Sequence, residues 1–168
     1  MEDFMAEAQH LSDALEGLFA RPDHGWFTPF AVAIAGLTAD QAATVPAERF
    51  NSVWAVVNHV RFWHEFVLRR LRGLAVDRRV LEAEKGWPPP DDPADEQAWQ
   101  AACARVIAVN AELAKLIAGL SDEELAQPIA EGRANRYQVI QGLIAHNSYH
   151  TCEIISIRHM QGLWLERT

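Results

Sequence analysis

Two histidines and a glutamate inside one long apolar stretch carry the chemistry open to this chain. Residues 137–160 read YQVIQGLIAHNSYHTCEIISIRHM, with no proline and no glycine after Gly142. A helix turns about 100° per residue, so His146 and His150 lie one turn apart and Glu153 falls on the same face. Val139, Leu143, Ile157 and Met160 line that face above and below. Burying a polar group without a partner costs roughly 2–7 kcal/mol. A divalent metal ion is one partner that would satisfy two imidazoles and a carboxylate together.

A histidine pair at i, i+4 is the usual way for a helix to present two nitrogens to one metal. On spacing alone a core or surface pair is the commoner outcome. The metal becomes the stronger interpretation because the pair is central to the apolar stripe and because His59, on another helix, borders the same core; bundles build metal sites from inward side chains of facing helices. His10, His24, His64 and His159 have no spaced partner and read as surface or capping residues. His64 is turned roughly 140° from His59 on the wheel, which makes a shared ligand difficult. Trp63, one turn after His59, and Tyr149, beside His150, bring aromatic side chains to the same core; Tyr149 could donate to a bound anion or simply pack. No Ser-His-Asp set, phosphate loop or glycosidase-type carboxylate pair competes, and no catalytic residue is assigned.

The elements that must position these residues are helices. Asp3–Phe19 has apolar residues at helical spacing. A second piece, Trp26–Leu37, follows with Pro29 in its first turn, where proline is tolerated, and the two read as one interrupted helix. Asp40–Thr44 adds a short turn. Ser52–Arg72 is the second long helix, capped by Asn51 or Ser52, with Val53, Val56, Val60, Trp63, Val67 and Leu71 as its stripe. Residues 74–94 form a long crossing whose Trp87–Pro93 segment is extended polyproline. The third helix spans Asp95–Leu120, Pro128 and Gly132 mark a loop, and the fourth helix runs from about Asn135 to the last residue. The expected fold is all-α: a single four-helix bundle domain over residues 1–168, with a long Pro-rich connection between helices 2 and 3. Ile140, Ile144 and Ile155 make the opposite side of helix 4 apolar too, which requires burial on two sides, part of it from the first or third helix.

Composition excludes several classes. With 168 residues, nearly half of them apolar, the chain can bury a sizeable core. Its net charge of −8 and lack of a basic cluster argue against nucleic acid. No apolar run approaches the ~18 residues that cross a bilayer, and the acidic start, MEDFMAEAQH, lacks signal-peptide character. Cys103 and Cys152 do not make a disulfide framework; two reduced thiols suit a cytoplasmic protein.

SVWAVVNHVRFWHEFVLRRLRG, followed far downstream by LIAHNSYHTCEI, resembles the DinB-like family, also described as metal-dependent hydrolases and distinct from the DNA polymerase of similar name. GLTADQA, GWPPPDDPADEQAW and the Tyr149-His150 pair echo it, so that the resemblance covers about Gly25–Leu163. It implies a four-helix bundle, commonly a homodimer, with a divalent metal, zinc or nickel first, on His59, His146 and His150. Where the family pattern leads one to expect Gln, three positions after the second histidine of helix 4, this chain has Glu153. Glu153 could be a fourth ligand, or could stand behind a ligand and accept an imidazole N–H; Tyr149 is the other candidate for such a role.

Three neutral imidazoles leave a metal its full charge and an open position. Water there falls to a pKa of about 7 on zinc in the best case, giving hydroxide for hydrolysis; a thiol becomes a thiolate. Members of the resembling family include thiol-dependent S-transferases using glutathione, bacillithiol or mycothiol, and a thiol-dependent maleylpyruvate isomerase. Three functions are therefore expected in order: a metal-dependent enzyme that activates a low-molecular-weight thiol cosubstrate toward a small electrophile, a metal-dependent hydrolase, and a non-catalytic protein stapled by its metal.

Overall fold

The computed structural model describes residues 6–21, 26–77, 79, 82–83, 85–88, 94–129 and 134–165. Among the described residues the helices are α1 (Glu7–Phe19), α2 (Phe30–Ile34), α3 (Ala39–Ala43), α4 (Val53–Leu71), α5 (Glu96–Ala118), α6 (Asp122–Ala126) and α7 (Arg136–Met160). Side-chain caps fix where most of them begin, by satisfying N–H groups that the first turn leaves open. Ser52, not Asn51, caps α4 by accepting from Ala55 N–H. Asp95 caps α5 by accepting from Gln97 and Ala98. Asn135 and Gln138 form a reciprocal capping box at α7, as Thr38 and Gln41 do at α3.

The four long helices α1, α4, α5 and α7 form an all-α bundle. Helix α1 packs on α5 and α7, and α4 closes the ring by packing on the same two helices. Two apolar clusters fill the interior. One gathers Phe19, Phe30, Trp54, Val60, Trp99, Val106 and Ile154. The other gathers Leu15, Leu68, Leu113, Ile117, Ile140 and Leu143. On α4 the first cluster ends at Val60 and the second begins at Val67; on α5 they meet between Val106 and Val109; on α7 they are separated by the residues between Leu143 and Ile154. Buried polar side chains lie in or beside these gaps: His59, His64, Asn110, Asn147, His150 and Thr151. The bundle therefore has a polar layer between two apolar ones.

Several expectations need correction. The Trp26–Leu37 segment is helical only over Phe30–Ile34, with Pro29 as its N-cap and not inside its first turn. A residue before proline is pushed away from the helical region, and Gly36 at φ 71° turns the chain at the far end. Trp26 and Phe27 are exposed. The fourth long helix stops at Met160, where the chain turns through Gly162 at φ 76°; Met160 is consequently exposed and not part of the stripe. Helix α6 was not anticipated, although Ser121 and Glu124 form its capping box. The start proposed at Asp3 and the whole Pro89–Pro93 run lie outside the described residues. Ile140 is fully buried within the chain, and Ile144 and Ile155 pack against the chain's own two clusters. Helix α7 thus finds its two-sided burial largely within its own bundle.

At the C-terminal end of α7, buried Arg158 donates to the carbonyl oxygens of Ala33 and Ala35, each at 2.8 Å, and to Leu163 at 3.2 Å. A cation on carbonyls left open where α2 ends is favourable by both hydrogen bonding and the helix dipole. No helix among the described residues is long and apolar enough to cross a membrane.

Candidate metal centre

Helices α4 and α7 bring His59, His146 and His150 together. Each offers one ring nitrogen, and the three nitrogens lie within 4.8 Å of one another. His59 Nε2 and His146 Nε2 are 3.1 Å apart. His59 and His150 are buried and His146 is half-buried.

The outer ring nitrogens fix the tautomers. His59 Nδ1 meets the Gly86 carbonyl oxygen at 2.5 Å. A carbonyl only accepts, so Nδ1 carries the proton and a neutral His59 presents a bare lone pair at Nε2. His150 Nδ1 meets Glu153 Oε2 at 2.7 Å, and Glu153 Oε1 accepts from Asn51 Nδ2 at 2.7 Å. The hydrogen bond from His150, followed by that from Asn51, holds the Glu153 carboxyl below its usual range against the opposing effect of burial. It is thus an ionised acceptor for His150 Nδ1–H, which leaves the other ring nitrogen of His150 for the cluster. His146 Nδ1 is buried with no hydrogen-bond partner among the described residues.

Burial keeps the His59 and His146 rings neutral. Desolvation is the main cause of the lowered pKa of His59, and it pushes His146 down to about 3, with His150 and His59 adding repulsion. Neutral imidazole is the form that ligates a metal. Nitrogen ligands at ~2.0–2.1 Å stand about 3.3 Å apart in a tetrahedron and about 2.9 Å apart on an octahedral face. The 3.1 Å separation of His59 and His146 falls between these, so the donor set fits a divalent metal ion without selecting its geometry.

Aromatic side chains wall the cluster. Trp87 stacks on His59 with ring centroids 3.8 Å apart and planes 20° from parallel. Trp63 meets His59 edge-on at 6.2 Å. Tyr149 touches the His150 ring edge-on at 5.1 Å but is 71% exposed, so it stands at the surface and not, as expected, toward the core. Glu153 lies behind His150, on its Nδ1 side, and is not exposed.

His64 departs from the surface role read from sequence: it is fully buried. Its Nδ1 donates to the Val60 carbonyl at 2.7 Å, while Nε2 faces Asn110 Oδ1 at 3.1 Å and Asn147 Nδ2 at 3.3 Å. The separation of His64 from the ligand set does hold, because both its nitrogens are occupied elsewhere. Sequence reasoning missed Gly86, Trp87, Asn51 and this buried network. One usable signal was the adjacent pair Asn51-Ser52: a helix needs one cap, which frees the other for a different task. A surface cleft of about 350 Å³ lined by Glu7, Asp122, Asn135 and Tyr137 among others is remote from this chemistry. Tyr137 precedes His146 by nine residues, or ~13 Å along the helix.

Fold and site together define a class: a four-helix bundle with an inward cluster of three histidines able to hold a metal ion. The family model for the DinB superfamily matches residues 29–154, which include all three histidines and Glu153, and the chain belongs to that superfamily. No curated protein and no solved structure matches the chain.

Proposed function

We propose that this protein is a metal-dependent enzyme in which His59, His146 and His150 hold a divalent ion, zinc or nickel, and which activates a low-molecular-weight thiol for transfer to a small electrophile. The observation that carries the metal half is the convergence of Nε2 atoms whose rings are anchored from outside, on Gly86 for His59 and on Glu153 for His150. When bound, a divalent metal on neutral imidazoles supplies positive charge that acidifies a thiol at its open position.

The thiol half rests on the family resemblance and on what the neighbouring residues leave undone. Among the described residues Glu153 is the carboxylate at the cluster, and both its oxygens are engaged, by His150 and Asn51. It is not free to take a proton from attacking water. A thiol, with a free pKa of about 8.5 against 15.7 for water, needs no such base. The aromatic wall of Trp63 and Trp87 favours a partly apolar electrophile, and the acidic chain disfavours a polyanionic one. In the transfer, the S–H proton leaves to solvent, sulfur bonds to the electrophilic carbon, and the leaving group departs with its electron pair.

Hydrolysis is the second reading, favoured by the three-nitrogen donor set itself, which is also that of hydrolytic zinc sites. The test is consumption of glutathione, bacillithiol or mycothiol against a panel of electrophiles, with and without metal, alongside ester and amide hydrolysis. Metal-dependent thiol transfer that His59→Ala abolishes is expected. Metal-dependent hydrolysis without thiol transfer would replace this function with the second; loss of stability alone on metal removal would assign the metal a structural role.

A further inference from the structure

The crossover between α4 and α5 takes part in the cluster directly. Lys85 and Gly86 are consecutive residues in the left-handed region, at φ 49° and 76°. That conformation costs a non-glycine residue roughly 1–2 kcal/mol and persists where the surroundings impose it. Gly86 is itself buried, and a Cβ on it would sit 2.8 Å from Trp63 Nε1, so only glycine lets the backbone pass this close to the indole. The approach delivers two groups to one ring: the Gly86 carbonyl to His59 Nδ1, and the Trp87 indole to the face of His59. Pro88 extends the contact by accepting from Asn58 Nδ2 at 3.5 Å, one residue before His59.

We propose that Gly86 and Trp87 are positioning residues of the metal centre: the carbonyl sets the tautomer of His59 and the stacked indole sets its ring plane, so metal affinity is determined in part by the crossover. This rests on the proposed three-histidine metal site. A hydrogen bond alone lets an imidazole swing about its axis; a stacked plane and a fixed acceptor together hold its inner lone pair in one direction. Groups that orient a ligating histidine in this way are worth about 10–100-fold in metal affinity.

The experiment uses the full chain, stripped with chelator and titrated with Co²⁺ and Zn²⁺ against a competing indicator, for wild type, Trp87→Ala and Trp87→Phe. Trp87→Ala is expected to bind metal about 10–100-fold more weakly, with the metal-free melting temperature little changed. Trp87→Phe, which keeps an aromatic plane over His59, is expected to restore most of the affinity. Co²⁺ should quench part of the wild-type tryptophan emission, and that part should be missing in Trp87→Phe. Equal affinity in wild type and Trp87→Ala would overturn the positioning role while leaving the three-histidine site intact. Affinity lost equally in both variants together with metal-free stability would make Trp87 a packing residue and overturn it as well. A wild type that binds neither metal would remove the site and this inference with it.

Discussion

Replacing Glu153 by Gln and by Ala tests whether the carboxylate behind His150 tunes the site. In the wild type one oxygen accepts from His150 Nδ1 and the other from Asn51 Nδ2, both at 2.7 Å. Hydrogen bonds to a charged group contribute roughly 1.5–3 kcal/mol and neutral ones roughly 0.5–1.5. Glutamine keeps an acceptor of the same shape for His150, and Asn51 can turn its amide to meet the new NH₂ group. Glu153→Gln should therefore lose about 1 kcal/mol, or about fivefold in metal affinity. Alanine removes both acceptors and leaves the His150 Nδ1–H with nothing to hold its ring, so Glu153→Ala should lose about 10–100-fold. Competition with a chromogenic chelator near neutral pH measures both. An alanine variant that binds like wild type, or a glutamine variant weaker than alanine, would refute the positioning of His150 by Glu153.

His146→Ala should purify without stoichiometric metal, and its retention by elemental analysis would show the ligand assignment wrong. Metal at a hundredfold excess over its dissociation constant stabilises the native state by about 2.7 kcal/mol, so chelation should lower the wild-type melting temperature by roughly 5–11 °C and that of the variant far less. Burial holds His59 and His64 below the ordinary histidine range and His146 at about 3, while the unfolded chain takes up those protons near 6.5, so between these values the unfolded state binds more protons and stability rises with pH. Metal-free protein should thus be fully stable above about pH 6.5 and lose stability as the pH falls toward 3; Glu153, whose pKa is lowered from 4.5, adds its loss only below that value, and a melting temperature flat from pH 7 to 5 would refute the histidine part. Light scattering at micromolar concentration is expected to return the mass of a homodimer, as the family resemblance implies, and a monomer mass would refute it.

The long helices and the two segments that carry the clustered histidines were legible because both follow from local rules. Periodicity gave α4, α5 and α7, with starts within a residue of the caps that the structure places at Ser52, Asp95 and Asn135. Helix α6 was not legible by period, since five residues make little more than one turn; only its capping box marks it. Gly86 and Trp87 were missed for a different reason. Their contacts with His59 span 27 and 28 positions and cross a segment with no repeat, so no wheel or template relates them. His64 was legible and misread. It stands four after Val60 and four before Leu68, both buried, so its phase placed it in the stripe. Asn110 has the same relation to Val106 and Ala114, and Asn147 to Leu143 and Thr151. Polar residues in core phase on three facing helices indicate a shared buried layer, a pattern visible only when the helices are compared with one another.

That layer gives the bundle its own control for the metal hypothesis. His64 is buried more deeply than any of the three clustered histidines, yet both its nitrogens end on protein groups: Nδ1 donates to the Val60 carbonyl and Nε2 accepts from Asn147 Nδ2. This is how a core satisfies an imidazole when nothing further is asked of it. His59 and His150 could have been satisfied in the same way, with amides on their inner nitrogens. Instead, protein acceptors occupy their outer nitrogens, and the inner nitrogen of His59 faces that of His146. Neutral His59 has no proton to give at Nε2, so its lone pair faces the ring nitrogen of neutral His146 in a half-desolvated cluster, a repulsive arrangement. A single divalent ion removes that repulsion for the whole cluster, whereas one shared proton removes it for one pair. Removing one ligand therefore relieves part of the repulsion as it abolishes binding. His146→Ala should accordingly match or exceed the wild type in stability when both are metal-free, and fall below it only once metal is added.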